Sequence, residues 1–196
     1  TKTRVVEFLI APEYSYMHKS SIRFVCNISE GIEALSKGSE KKTTWGNGEL
    51  IEVRNKHETI YGQKQEWGPG AITETVRSLV PRDTVITMDS GAHRILISQA
   101  WRTYVPRSAL QSSAFCTMGC ALPLATGAKL ADPGRVVVAF MGDGGLEMVL
   151  GELITLRDLG LPVIVIVFVD ASLALIEKKQ REMQYKNVGV DMDCLL

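Results

Sequence analysis

The alternation of strand-like and helix-like segments in the second half of the chain constrains the fold most. Three stretches are typical of strands: TVITMDSG at 84–91, which runs into a glycine turn, and the Val- and Ile-rich runs at 135–141 and 162–169. Helix-like patterns alternate with these strands, at 68–80, 117–134 and 146–159. Strands that alternate with helices of this length favour a parallel sheet. The sequence therefore predicts an α/β fold, with helices on both faces of a parallel sheet.

Composition and charge exclude several classes of partner. The 196 residues carry a formal net charge of zero, and no basic or acidic run suggests nucleic acid or an anionic membrane. The longest apolar run, 161–169, is too short to span a bilayer, and the N-terminal segment lacks the pattern of a secretory signal. The four cysteines form no CxxC pair and no zinc spacing. We therefore expect reduced thiols in a cytoplasmic protein.

The segments before Trp67 do not show this regular alternation of strands and helices. Residues 1–38 contain two short β-like runs and a short helix that Ser29 could cap, a fragment too small to close a core alone. Residues 39–66 are polar with weak periodicity, which predicts a linker or a wrapped loop, with a hairpin as the alternative. Residues 67–196 form the predicted α/β domain.

A glycine-rich loop joins the strand at 135–141 to the helix at 146–159. Its residues are Gly142, Asp143, Gly144 and Gly145. Glycines at such a point let the backbone approach a ligand, and the amides at a helix N-terminus favour a phosphate. The loop is neither a GxGxxG nor a GK[ST] motif, which argues against a nucleotide-binding α/β domain. Taken alone, the loop fits a structural turn as well as it fits a ligand site.

A second aspartate, Asp170, follows the next predicted strand. Twenty-five residues separate it from Gly144, enough for a helix, a turn and a strand. Because parallel strands end at the same edge of a sheet, Asp143 and Asp170 can lie on one rim. Two facing carboxylates repel each other unless a cation lies between them, and Mg²⁺ suits oxygen ligands and cofactor phosphates. The spacing therefore favours a Mg²⁺–diphosphate site over two unrelated, solvated aspartates.

Several ordered motifs are similar to those of thiamine diphosphate-dependent enzymes, and most of all to the acetolactate synthase-like branch. DSGAHRI at 89–95 resembles the Asp-x-Gly-Gln-His segment of that family, and CTMGCALPLATGAKLADPG is similar to the series that precedes its Gly-Asp-Gly motif. GDGGLEMVLGELITLRDLGLPVIVIVFVD resembles the cofactor motif itself, and the N-terminal residues are similar to the end of the family's central domain. The resemblance implies the thiamine diphosphate-binding fold, with 67–196 as a truncated diphosphate-binding domain, 39–66 as a linker and 1–38 as the end of a central domain.

The resemblance also assigns roles to single residues. Asp143, Asp170 and the backbone carbonyl of Ser172 would bind Mg²⁺. Met118 would support the bent cofactor, which makes it the predicted catalytic residue of this chain. The residues expected to bind the cofactor are Gly91, Ala92, His93, Cys116, Met118, Gly142, Asp143, Gly144, Gly145 and Asp170.

Three positions depart from the family pattern. The family's Asn-Asn pair is Val169-Asp170 here, and Asp can replace Asn as an oxygen ligand. Ala92 stands where the family has Gln, which removes one side-chain donor near the diphosphate. Lys179 stands where acetolactate synthases have a Trp that shapes the acceptor pocket, so the resemblance does not extend to acetolactate formation itself.

The expected activity is Mg²⁺- and thiamine diphosphate-dependent cleavage or formation of carbon–carbon bonds in 2-oxo acids or related acyl donors. The family uses a pyrimidine-binding module with an activating glutamate, which we expect from another part of a longer chain or from another subunit of a homodimer or homotetramer. Some relatives bind FAD through the central domain, but no feature of this sequence supports FAD. The alternative is a non-catalytic or regulatory paralogue that binds thiamine diphosphate.

Overall fold

The computed structural model describes residues 4–12, 19–40, 45–61 and 67–192. The chain divides into two compact units, Thr1–Ile51 and Glu52–Leu196. None of the described helices is long and apolar enough to cross a membrane.

The first unit contains a two-stranded parallel sheet and a helix. Strands β1 (Val6–Leu9) and β2 (Ile22–Val25) pair in parallel. Helix α1 (Ile28–Lys37) is capped by Asn27, whose side-chain oxygen accepts two amide hydrogen bonds. The expected cap at Ser29 is therefore wrong by two residues.

Helix α2 (Glu49–Tyr61) follows, and it occupies part of the stretch predicted as a loop or hairpin. The hairpin alternative is wrong, because WGNGELIEV leads into a helix. The boundaries of the predicted linker at 39–66 fall partly outside the described residues.

The second unit contains a four-stranded sheet in which every neighbouring pair is parallel. Its strands are β3 (Val85–Met88), β4 (Ala109–Gln111), β5 (Val137–Gly142) and β6 (Ile164–Phe168), in the spatial order β4-β3-β5-β6. Its helices are α3 (Pro69–Leu79), α4 (Ala92–Ala100), α5 (Ala121–Ala131), α6 (Asp143–Met148), α7 (Glu152–Asp158) and α8 (Ala174–Glu182). The predicted parallel sheet is confirmed.

Alternate residues of β5 face two separate cores. Val137, Ala139 and Met141 pack with residues of α5 and α7, whereas Val138 and Phe140 pack with residues of α3 and α4. All five side chains are almost completely buried. The prediction of helices on both faces of the sheet is therefore confirmed.

The connections between strands reverse direction between β3 and β5. From β3 the chain passes through α4 to β4 on one side, and from β5 it passes through α6 and α7 to β6 on the other. Such a reversal opens a crevice beyond the carboxyl ends of the two strands, where ligands bind in open α/β sheets. The loops after β3 and β5 both lead into this crevice.

The single helix predicted over 146–159 is two helices. Helix α6 already begins at Asp143, and a break around Val149 and Gly151 separates it from α7. Gly151 has a low helix propensity, and Val149 packs on the first core and against Gly119. The glycine-rich loop at 142–145, from here on called the glycine-rich turn, thus ends β5 and forms the first turn of α6 instead of a loop in front of a helix.

Candidate functional site

A cavity of about 440 Å³ lies at the carboxyl ends of β3, β5 and β6. The sequence-predicted residues all line it, although they come from four separate stretches of the chain: Gly91, Ala92, His93, Cys116, Met118, Gly142, Asp143, Gly144, Gly145, Asp170 and Ser172. The structure therefore brings the predicted set together at one place. Their individual roles stay predictions.

The carboxylate of Asp143 joins the ends of two neighbouring strands. Its Oδ1 accepts the amide of Gly144 at 2.8 Å, and its Oδ2 accepts the amides of Asp170 at 3.2 Å and Ala171 at 3.0 Å. Asp143 thus accepts three backbone amides at the floor of the cavity, and it fixes the loop after β6 relative to the loop after β5.

The loop at 170–173, here called the β6 loop, is shaped by two further features. Ala171 has a positive φ of 55°, an uncommon conformation for a residue with a Cβ. The amide of Ser172 donates to Oδ1 of Asp170 at 3.2 Å. These features turn the loop tightly around the two aspartates, and strain of this kind concentrates at functional sites.

The buried carboxylate of Asp89 joins two other loops. It has no solvent exposure and lies immediately after β3. Its Oδ1 lies 2.7 Å from Nε2 of His93, and its Oδ2 accepts the amide of Gly119 at 2.9 Å. The ring of His93 also stacks on Phe168, with centroids 5.6 Å apart. Asp89 and Phe168 therefore fix the imidazole at the cavity wall.

Two glycines allow backbone segments to approach these side chains closely. A Cβ at Gly145 would lie 1.9 Å from Oδ2 of Asp89, and one at Gly91 would lie 2.6 Å from Nδ1 of His93. Both distances are far inside van der Waals contact, so no side chain fits at either position without movement of its neighbour. Gly91 is also the N-cap of α4, whose first residues line the cavity, and a helix N-terminus there suits an anion.

The segment at 116–119 approaches the cavity from the other side. Cys116 has a positive φ of 49°, and the carbonyl of Thr117 accepts the amide of Ser90 at 3.3 Å. The terminal methyl of Met118 lies 3.5 Å from the position that a Cβ on Gly144 would take. The Met118 side chain therefore borders the glycine-rich turn.

The donor set of the cavity fits a divalent cation and a diphosphate. Its charged lining residues are the two aspartates, with His93 as the one imidazole and neither Lys nor Arg among the described lining residues. Within the described ranges no three His, Cys, Asp or Glu side chains gather around one point. A metal ion here would thus need backbone and cofactor oxygens besides Asp143 and Asp170. The Oγ of Ser172 is buried and has no hydrogen-bond partner among the described residues, which leaves a polar group free for a ligand.

Comparison with known proteins identifies the family. Residues 89–193, more than half of the chain, match the model described as "Thiamine pyrophosphate enzyme, C-terminal TPP binding domain". The chain belongs to this family. Thiamine pyrophosphate is another name for thiamine diphosphate, so the resemblance that the motifs carry is confirmed. The matched range begins at Asp89 and includes every sequence-predicted site residue.

Curated relatives place the chain in the acetolactate synthase-like branch. It is 26% identical to the acetolactate synthase large subunit of Lactococcus lactis subsp. lactis (strain IL1403), over 87% of this chain and 30% of that protein. It is 34% identical to the acetolactate synthase of Bacillus subtilis (strain 168), over 63% of this chain and 22% of that protein. It is 37% identical to the acetolactate synthase isozyme 1 large subunit of Escherichia coli (strain K12), over 56% of this chain and 19% of that protein. The chain spans less than a third of the length of these relatives.

Sequence reasoning assigned no role to Asp89 and Phe168. The available signal for Asp89 was its position directly after a buried strand, at the first residue of the matched DSGAH motif. Phe168 ends β6 and reads as an ordinary apolar strand residue. Its contact with His93 depends on the order of the strands, which the local sequence does not state.

Proposed function

We propose that this chain supplies the metal–diphosphate half of an active site that cleaves or forms carbon–carbon bonds in 2-oxo acids or related acyl donors. The observation that carries the proposal is the meeting of the glycine-rich turn, the β6 loop and His93 around one cavity, with Asp143 joining the first two. The family supports thiamine diphosphate as the cofactor, and Mg²⁺ is the metal that the two carboxylates suit.

In this proposal Asp143, Asp170 and the carbonyl of Ser172 hold the Mg²⁺ ion. The diphosphate binds to the glycine-rich turn and to the N-terminal end of α4, where Ala92 and His93 lie. Backbone amides there can donate hydrogen bonds to an anion, and a helix N-terminus favours negative charge. When bound, thiamine diphosphate stabilises the carbanion that forms next to a carbonyl. The residues of this chain bind and orient it.

Two side chains have positioning tasks. Met118 borders the glycine-rich turn and would hold the two cofactor rings in the bent arrangement that the chemistry needs. His93, fixed by Asp89 and Phe168, lines the cavity. The fixed imidazole of His93 limits the geometries that a bound cofactor can adopt.

The proposed active site also needs parts that the cavity residues of this chain do not supply. We propose that residues 67–196 are the diphosphate-binding domain, 39–66 a linker and 1–38 the end of a central domain. A pyrimidine-binding module with an activating glutamate would come from a longer chain or from another subunit of a cytoplasmic homodimer or homotetramer. The relatives whose names include "large subunit" support a protein that works in an assembly.

The decisive experiment replaces Asp143 in the full-length protein and measures thiamine diphosphate binding by calorimetry at a series of Mg²⁺ concentrations. We expect Asp143→Ala to abolish Mg²⁺-dependent binding, because it removes a metal ligand and the acceptor of three amides. Asp143→Asn keeps the shape of the side chain and loses its charge, and it should weaken binding at least about tenfold. The control is Asp158→Asn, since Asp158 pairs with Arg157 on the exposed surface of α7.

Unchanged affinity in both Asp143 variants would refute the metal assignment. The reaction class is tested separately, by assaying the unaltered protein with Mg²⁺, thiamine diphosphate and a panel of 2-oxo acids. Turnover of one of these 2-oxo acids supports the proposed enzymatic activity. Binding of the cofactor without turnover of any panel member favours the non-catalytic paralogue, for which the Ala92 departure leaves room.

A further inference from the structure

The chain returns to the β6 loop after helix α8. A turn after the helix brings the amide of Tyr185 to the carbonyl of Gln180 at 2.8 Å, and Gly189 has a positive φ of 66°. Residues 188–192, here called the return segment, then run back along the β6 loop. Val190 in the middle of this segment is 1% exposed. Val190 thus anchors the return segment in the domain, whereas Val188, Gly189 and Asp191 are exposed.

Two backbone hydrogen bonds fasten the return segment to the β6 loop. Leu173 donates to the carbonyl of Val190 at 2.7 Å, and Met192 donates to the carbonyl of Ala171 at 2.8 Å. Ser172 and Asp191 form the antiparallel bridge that these bonds enclose. The sulfur of Met192 also lies 3.2 Å from the position that a Cβ on Gly144 would take, so the segment reaches the cavity floor.

This pairing sets the direction of the Ser172 backbone. In an antiparallel ladder, opposite residues alternate between pairs that exchange hydrogen bonds and pairs whose polar groups point away from each other. Ser172 is of the second kind, because the bonds come from the residues on either side of it. Its N–H accordingly faces Asp170 and donates to it. Its carbonyl lies on the same edge of the chain and therefore also points away from the return segment.

Gln180 fixes the start of the return segment through both polar atoms of its side chain. Its Nε2 donates to the carbonyl of Val188 at 3.1 Å, and its Oε1 accepts the amide of Val188 at 3.1 Å. A carboxamide offers one donor group and one acceptor, which is what a single backbone residue needs. A carboxylate of the same shape could make only one of the two bonds.

We propose that Gln180 is a positioning residue for metal and diphosphate binding, and that it acts through the return segment on the carbonyl of Ser172. Gln180 does not line the cavity. Loss of its two bonds would release Val188, loosen the pairing at Leu173 and Met192, and let the Ser172 carbonyl leave its orientation. This inference rests on the proposed function of the same cavity.

The test uses three variants of the full-length protein: Gln180→Ala, Gln180→Glu and, as a control on the same helix, Lys178→Ala. Lys178 is exposed, and its ammonium forms a long ion pair with Glu182 at 3.9 Å. Because this pair lies within α8, we expect the removal of Lys178 to leave the return segment unchanged. Hydrogen–deuterium exchange without cofactor comes first. We expect peptides that cover 170–175 and 188–192 to exchange at least about tenfold faster in Gln180→Ala, to an intermediate extent in Gln180→Glu, and as in the parent in Lys178→Ala.

Calorimetry with Mg²⁺ and thiamine diphosphate comes second. Substitution of a residue that orients a metal ligand without binding the metal typically lowers metal affinity by about 10–100-fold. We expect a loss of affinity in that range for Gln180→Ala. Saturating Mg²⁺ should restore the full number of binding sites. A variant that merely folds poorly would instead show fewer sites at every Mg²⁺ concentration, which would overturn the positioning role.

Two results distinguish this inference from the proposed function. If the unaltered protein binds thiamine diphosphate but Gln180→Ala shows unchanged exchange or unchanged affinity, the role of Gln180 is refuted and the function stands. If the unaltered protein shows no Mg²⁺-dependent binding, the proposed function fails, and the positioning role fails with it, whatever the exchange data show.

Discussion

Gly145 gives the sharpest test of how tightly the site is built. It lies in helix α6, and a Cβ at this position would lie 1.9 Å from Oδ2 of Asp89. Gly127 is the matched control, since it lies inside helix α5 and a Cβ there would meet nothing within 4 Å. The same chemical change, Gly→Ala, is therefore made once in open space and once against a buried carboxylate.

The two substitutions should shift stability in opposite directions. Alanine is favoured over glycine in a helix interior by about 1 kcal/mol, so Gly127→Ala should stabilise the protein by up to that amount. At Gly145 the carboxylate of Asp89 must move, which strains or breaks its bonds to His93 and Gly119. Hydrogen bonds to charged groups contribute about 1.5–3 kcal/mol each, and overpacking costs about 1–3 kcal/mol. Allowing for the helix gain, we expect Gly145→Ala to destabilise the protein by about 3 kcal/mol.

The assay is urea unfolding of the full-length variants, followed by fluorescence, with cofactor affinity measured in parallel. Gly127→Ala should raise the unfolding midpoint slightly and leave affinity unchanged, whereas Gly145→Ala should lower both. A double-mutant cycle with Asp89→Ala isolates the contact, because Asp89→Ala should cost less stability when Gly145→Ala has already displaced the carboxylate. Equal midpoints for the two glycine variants, or an additive cycle, would refute the close packing of Asp89 on the glycine-rich turn.

Three further predictions concern the segment at 116–120. Met118→Ala should lower kcat more than it lowers cofactor affinity, because Met118 is proposed to hold the bent cofactor and not to anchor it; an unchanged kcat would remove it from the site. Iodoacetamide at about pH 8 should label Cys116, which is exposed, before Cys120, because burial raises the pKa of the Cys120 thiol and keeps it protonated. Thiamine diphosphate with Mg²⁺ should slow labelling at Cys116, which lines the cavity; peptide mass spectrometry showing equal rates with and without cofactor would contradict this.

The parts of the site that the sequence could predict are those that follow from strand order along the chain. Asp143 comes directly after the buried strand β5, and Asp170 lies one residue beyond the half-buried strand β6. Parallel strands end at one edge of a sheet, so the proximity of the two aspartates needs no further information. The family motifs added 91–93 and 116–118 to the same cavity. Local pattern and motif spacing were sufficient for all of these positions.

The parts that the sequence could not predict depend on contacts between distant residues. The bond between Asp89 and the amide of Gly119 crosses 30 residues, and the two bonds of Gln180 depend on a turn that no repeating pattern announces. The break after α6 falls where Val149 packs against Gly119, and these two residues are neighbours only in the folded chain. Helix α2 carries its few apolar residues without a clear helical period, so hydrophobic periodicity gave no signal for it.

The cavity is held by three separate fastenings. Asp89 joins the loop after β3 to the segment at 117–119, Asp143 joins the glycine-rich turn to the β6 loop, and the return segment closes on the β6 loop through its own backbone. Each of these connections uses backbone amides as donors, and the acceptors are backbone carbonyls or the short side chains of Asp89 and Asp143, so no long, flexible side chain is needed to set the geometry. Because the groups that would hold metal and diphosphate are already ordered by folding, a cofactor that binds here need not order them itself, and its contacts contribute more fully to affinity. For the same reason, a residue that does not line the cavity, such as Gln180, can change the affinity for metal and diphosphate when it orders a segment that does reach the cavity.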